Sequence, residues 1–180
     1  SEKYEYILPN ATYSKNIING DSIGNIDFTS NFKIKNYDTN KTNKILINDL
    51  SWNYKDLFFK NGLRSKIFSE VKNVNYDSKN VEGLKTEQTS EVFGALGYLS
   101  EIDFYKDFDE HNRHFLTPKI LVRYAPGNMK QEDDGGRINN LNIFSLNRTP
   151  SSDNFENGLS ATLGFNYEID NKEKKFLFSG

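Results

Sequence analysis

His111 and His114 stand three apart, with Asp107, Asp109 and Glu110 close by in sequence, and this is the nearest the chain comes to a transition-metal pattern. Zinc needs three or four converging ligands, and histidines in a turn without a convincing third partner are ordinary polar residues. Glu132, Asp133 and Asp134 form an acidic run, but a hard divalent cation asks for six or more placed oxygens, and no such spacing follows. The run reads as a solvated acidic loop, so no metal site is expected. No GxSxG elbow, HExxH helix, phosphate loop or dinucleotide fingerprint occurs. Neither a catalytic residue nor a cofactor is therefore expected. Histidine and serine on strands keep a hydrolase as a minor option, because geometry rather than sequence defines such sites. The remaining chemistry lies in charges placed on alternate residues: Lys33, Glu101, Asp103, Lys119, Arg123 and Glu168. The Asn-x-Thr triplets at Asn10, Asn40 and Asn147 match an acceptor pattern too short to carry weight.

Alternation of apolar and polar residues implies strands to carry those charges. Ile26, Phe28, Ser30, Phe32 and Ile34 share one face, against Asp27, Thr29, Asn31, Lys33 and Lys35. Leu116, Pro118, Ile120, Val122 and Tyr124 oppose Thr117, Lys119, Leu121 and Arg123. Leu159, Ala161, Leu163, Phe165, Tyr167 and Ile169 oppose Ser160, Thr162, Gly164, Asn166 and Glu168. Other strands are noisier. Leu46, Leu50, Trp52 and Tyr54 share a face that Asn48 interrupts, and Val92, Leu96, Tyr98, Ile102 and Phe104 form another, with Glu101 and Asp103 opposite. Leu63 to Tyr76 is extended with mixed faces. An N-terminal strand bends at Pro9, and a last strand starts near Phe176. Asn19-Gly20-Asp21-Ser22, Asn61-Gly62 and Asp170-Asn171-Lys172 are compact turn signals, whereas Asp77–Ser90 and Pro126–Gly158 are longer connections. Phe144, Leu146 and Phe155 suggest that the longest of these packs on something.

In 180 residues with a formal charge of −2 there is no electrostatic reason to expect nucleic acid. Hydrophobic residues are 36% of the chain but aromatics 14%, so apolar surface must be concentrated on one side of each element. No window approaches the roughly 20 apolar residues of a membrane helix, which says nothing against strands that are apolar on alternate residues. Ser1 is not followed by a basic region and apolar core of signal-peptide type. There is no cysteine.

A soluble β-sandwich also alternates. Three features favour a membrane barrel instead. Legible strands run to about ten residues, the length that crosses a bilayer at a tilt. Full charges sit on the polar faces, which suits a water-filled lumen. Trp52, Tyr54, Tyr76, Tyr98, Tyr124 and Tyr167 recur toward strand ends, as an interfacial girdle would. The expected fold is all-β, an antiparallel transmembrane β-barrel segment of about seven to eight strands, with residues 1–180 as one central part of a barrel closed by other sequence. Lys33, Lys119, Arg123, Glu101, Asp103 and Glu168 are the lumen-facing candidates. Lys119 and Arg123 suit lipid phosphates or a plug, or simple cross-strand pairing with Glu101 and Asp103.

The run LTPKILVRYAPG from Leu116 to Gly127, a polar loop, and then NIFSLNR from Asn142 to Arg148 resemble the lipopolysaccharide-assembly outer-membrane protein family. That family is also called organic solvent tolerance protein, or the D component of lipopolysaccharide transport. Asn157-Gly158-Leu159-Ser160-Ala161-Thr162-Leu163-Gly164 resembles its return strand. Tyr6-Ile7-Leu8-Pro9, Asn48-Asp49 leading into Trp52, and Lys72-Asn73-Val74-Asn75 are similar to it as well, so the resemblance spans most of the chain and has an alphaproteobacterial flavour. It implies a very large barrel in the outer membrane of a Gram-negative bacterium, with a periplasmic jellyroll, the family's cysteines and the gate-forming first and last strands outside this segment. It implies lipopolysaccharide and membrane lipid as partners, together with a plug lipoprotein and periplasmic bridge proteins. Asn147 and Arg148 resemble a family motif, which with Phe144 makes them candidates to anchor the long loop in the barrel mouth. A general porin or receptor barrel is the alternative, and a soluble binding module a third.

Overall fold

The computed structural model describes residues 5–37, 41–80, 87–108, 112–127, 138–139, 141–148, 154–171 and 174–179. No helix occurs among them. The strands are β1 (Glu5–Gly20), β2 (Gly24–Tyr37), β3 (Lys41–Asn53), β4 (Leu57–Phe58), β5 (Leu63–Lys79), β6 (Thr89–Ile102), β7 (Phe104–Asp107), β8 (Asn112–Ala125), β9 (Gly158–Asn171) and β10 (Lys174–Ser179). They form one antiparallel sheet in the order β1-β2-β3-β5-β6-β8-β9-β10, with β4 paired to β5 and β7 to β8. Eight strands thus make the path, in line with the expected seven to eight.

The breaks between long and short strands are local. β7 continues the register that β6 holds against β8: Glu101 faces Lys119, and Phe104 faces Leu116. The stretch from Val92 to Phe104 is therefore one strand interrupted at Asp103. β1 shifts register between Ile7 and Asn10, at the position of Pro9, whose missing N–H cannot join the ladder. At the turn after β4 the Gly62 N–H donates to the Phe59 carbonyl at 3.0 Å, with Gly62 at φ +84°, a conformation that suits glycine. The long strands have 13 to 17 residues, longer than the sequence suggested.

By contact the chain divides into two units, Ser1–Trp52 with Glu70–Gly94, and Asn53–Ser69 with Ala95–Gly180. In the second unit the alternation is turned inside out relative to a water-soluble sheet. On β8, Leu121 and Arg123 are 0% and 1% exposed, whereas their neighbours Val122 and Tyr124 are 39% and 55% exposed. On β9, Leu159 and Leu163 are about three-quarters exposed, while Thr162 between them is buried. The open face is thus apolar, and the covered one carries Arg123 and Thr162 beside Leu121 and Ala125. Hydrophobic burial would drive the reverse in water.

In the first unit β1 and β2 are joined on one face by Thr12–Asn31 at 2.8 Å, Ser14–Thr29 at 3.1 Å and Asn16–Asp27 at 2.8 Å. Lys33 lies one position further along that polar row. Among the described residues of this unit, the buried apolar ones are Ile45, Ile47, Val74, Tyr76 and Phe93. Tyr76 is therefore not a girdle residue, because its ring lies on a buried face.

Candidate functional site

Arg123 is placed by β8, two residues before the strand ends at Ala125, with Ser160 of β9 directly opposite. The chain then leaves β8 and returns along residues 141–148 and 154–157 over the polar face of the two strands. Leu146 and Phe155 are buried in that return. Gly97 of β6 makes room for it: a Cβ there would lie 2.6 Å from Leu146 Cδ2 and 3.1 Å from Phe68 Cζ. A glycine inside a strand commonly marks such a close approach. Lys119 Nζ sits 4.3 Å from the centre of the Phe144 ring, a cation–π contact that ties the loop to mid-β8.

Charge fixes the returning segment. Arg148 makes a forked pair with Glu156, its Nε donating at 2.7 Å to one carboxylate oxygen and its terminal nitrogen to the other. The same guanidinium reaches Ser160 Oγ at 3.3 Å. Arg123 donates to the Glu156 backbone carbonyl and has its other nitrogen 3.6 Å from the carboxylate. Asn147 brackets this stretch, its amide donating to the Asn154 carbonyl at 3.3 Å and its oxygen accepting from the Glu156 N–H at 3.2 Å. Burial opposes ionisation of Glu156, but the Arg148 hydrogen bonds and the charge of Arg123 outweigh it, holding this carboxyl below its ordinary value. Two arginines thus meet one carboxylate with Lys119 near, while Glu101, Asp103 and Glu168 stand further along the same face.

The structure separates the other sequence candidates. Glu101 accepts from Arg64 Nε at 2.6 Å, Asp103 accepts from Thr117 at 2.7 Å, and Lys119 donates to Asn166 at 3.0 Å. The expected pairing of Lys119 and Arg123 with Glu101 and Asp103 is therefore replaced, although Glu101 and Lys119 are register partners. Backbone register brings the two chains side by side, but each longer side chain reaches diagonally to a different partner. Glu168 lies half-buried on the same face of β9 as Asn166 and Thr162, whereas Lys33 belongs to the β1–β2 polar row in the other unit.

His114 Nδ1 hydrogen-bonds the Tyr167 hydroxyl, and its ring lies 4.2 Å from Phe108. Asp107 is held by Arg113. His111, Asp109, Glu110, the acidic run Glu132–Asp134 and Asn40 lie outside the described residues. Among the described residues no group of three acids or histidines is placed to hold a metal. With Tyr167 and Phe178, whose rings are 6.4 Å apart, Phe108 and His114 instead make an aromatic row at the turn end of β8–β10.

Glu156 was not among the residues singled out from the sequence, although it joins both arginines. It stands eight positions after Arg148 in sequence, and no periodicity signals such a contact. Gly97 was equally silent, since a strand glycine declares a close approach without naming what approaches. No protein-family model and no curated protein matches the chain.

Proposed function

We propose that the chain is a membrane-embedded segment of an outer-membrane β-barrel, and that the barrel moves lipopolysaccharide into the outer leaflet without catalysis. The observation that carries this reading is the inside-out alternation of β8 and β9, with leucines open on one face and Arg123 covered on the other. Lipid is the environment that rewards such a face, and an aqueous interior rewards its opposite. The resemblance of 116–127, 142–148 and 157–164 to the lipopolysaccharide-assembly family supplies the substrate. The cations Arg123, Arg148 and Lys119 on the covered face are of the kind that bind the phosphates of the sugar head. The acyl chains reach the bilayer through an opened seam of the barrel, so that apolar tails avoid water.

Depletion of the parent protein in its host tests the substrate. Loss of lipopolysaccharide from the cell surface, restored by the wild-type gene, is the expected result; an unchanged surface on depletion would end the lipopolysaccharide reading. A solute-conducting barrel is the second reading, and the loop clasped over the polar face favours it, since such a loop would narrow a pore. Steady ion conductance of the reconstituted barrel together with normal surface lipopolysaccharide would decide for it.

A further inference from the structure

The first unit carries a polar row where the proposed reading calls for hydrocarbon. Ser30 Oγ donates to Asn48 at 2.8 Å, Asn48 donates to Asn73 at 3.2 Å, and Asn73 donates to Ser90 at 3.1 Å. The row crosses β2, β3, β5 and β6 on one face. The registers these bonds fix place Phe28, Leu50, Val71 and Val92 in the adjacent row on the turn side, every one apolar. Val92 is 70% exposed, and Val71 and Leu50 are open as well. On the loop side the same face carries Asn75, which donates to Asn73 at 2.6 Å, beside the half-buried Leu46 and Phe32, and then the pair Lys44–Asp77 at 3.5 Å.

The opposite face reverses at the same level. On the turn side it holds the ion pair Lys72–Asp49. On the loop side the register kept by Lys72–Asp49 and Ser78–Asn43 sets Ile47 against Val74 and Ile45 against Tyr76, all buried. Below the row, then, the strands are apolar on the open face, and the other face carries the Lys72–Asp49 pair with the buried Phe93 beyond it. Above it β5, and β3 from Lys44 onward, are polar on the open face and apolar on the buried one. The first pattern suits lipid outside and water within; the second is that of a sheet standing in water over its own core.

We infer that the edge of the membrane hydrocarbon crosses this unit at the Ser30–Asn48–Asn73–Ser90 row, with lipid headgroups at the row and the rest of β3 and β5 standing clear of the bilayer. The inference rests on the proposed membrane reading and adds a depth to it. Strand length agrees. From Leu63 up to Lys72, β5 has about the 9–11 residues that a tilted strand needs to cross hydrocarbon, and Asn73–Lys79 is the excess. The row also has a physical rationale. Amides and hydroxyls that bond one another tolerate the interface, where a lone amide facing acyl chains would be costly.

The 180 residues hold no cysteine, and the unsubstituted full-length protein, labelled in parallel, gives the background from any cysteine elsewhere. Leu50→Cys, Val71→Cys, Lys44→Cys and Asn75→Cys in the full-length protein, spin-labelled in phosphatidylethanolamine–phosphatidylglycerol vesicles, are compared for collisions with oxygen and with a water-soluble nickel chelate. The ratio should favour oxygen at Leu50 and Val71 and reverse at Lys44 and Asn75. Labels at Val122 and Leu163 serve as the lipid reference. Oxygen preference at all six sites would overturn the boundary while leaving the membrane reading intact. Water preference at Val122 and Leu163 would remove both. A variant that fails to fold is replaced by its row neighbour, Phe28→Cys below or Asp77→Cys above, which reads the same depth.

Discussion

Glu156 is the residue on which the clasp turns. Its carboxylate meets the Arg148 fork and lies 3.6 Å from Arg123, whose side chain is 1% exposed. Removing one partner of a covered ion pair costs more than the pair contributes, because the remaining charge stays desolvated. Glu156→Gln should therefore release the loop, with a loss of about 3 kcal/mol of local stability. Hydrogen exchange is the measurement: amides of 142–148 should lose protection while those of β8 and β9 keep theirs. Unchanged protection would show that Leu146 and Phe155 hold the loop unaided. The same pair sets a pH dependence. Because the folded carboxyl titrates below its ordinary value, its contribution is complete above that value and disappears as pH falls through the lowered one. Loop protection should accordingly be flat near neutrality and fall only in acid. Of this site the sequence disclosed Arg123, Asn147, Arg148 and Phe144, since strand parity or motif resemblance marks them. Glu156 is fixed by tertiary packing alone and left no mark.

At the scale of the strand, parity was legible where one face stays apolar from end to end, as in β8 and β9. It was not legible in β5, and the reason is physical: at Asn73 the environments of the two faces exchange, so a single alternating pattern cannot describe the strand. The mixed faces read between Leu63 and Tyr76 are this exchange, and Asn48, which looked like an interruption of β3, is part of the same row. The break at Asp103 was hidden because both sides of it keep one register. Strand environment has a direct energetic consequence. Leu163 is 76% exposed, and an arginine at so open a position on a soluble protein changes stability by no more than about 0.5 kcal/mol. In a bilayer the same Leu163→Arg change should cost about 2–4 kcal/mol near the midplane, whereas Leu159→Arg, closer to the loop end, should cost about 0–1 kcal/mol. Urea titration of the full-length barrel in vesicles separates the cases. Equal, near-zero costs at both positions would place β9 in water.

For the whole molecule the question is what solvent the open apolar surface calls for. Leu8, Phe58, Tyr105, Leu141, Leu159, Leu163 and Leu177 are all exposed, on several strands and a loop. Singly such residues are ordinary on a soluble protein, but rows of them along adjacent strands form patches that water does not tolerate. The strand order has β1 and β10 at its two ends, and unpaired strand edges invite association with other chains. A net charge of −2 offers little repulsion against it. The 180-residue chain in detergent-free buffer should therefore sediment as a broad distribution of assemblies. Folded into detergent micelles it should be monodisperse, with a β-rich circular dichroism spectrum. The contrast matters more than either result, because a micelle supplies apolar contact to the leucine rows without competing for the polar face. A single sharp boundary at monomer mass in plain buffer would mean that the leucines of β8 and β9 find cover within the chain in solution. That outcome would move the molecule to the soluble binding modules and leave its covered arginines as part of an ordinary core.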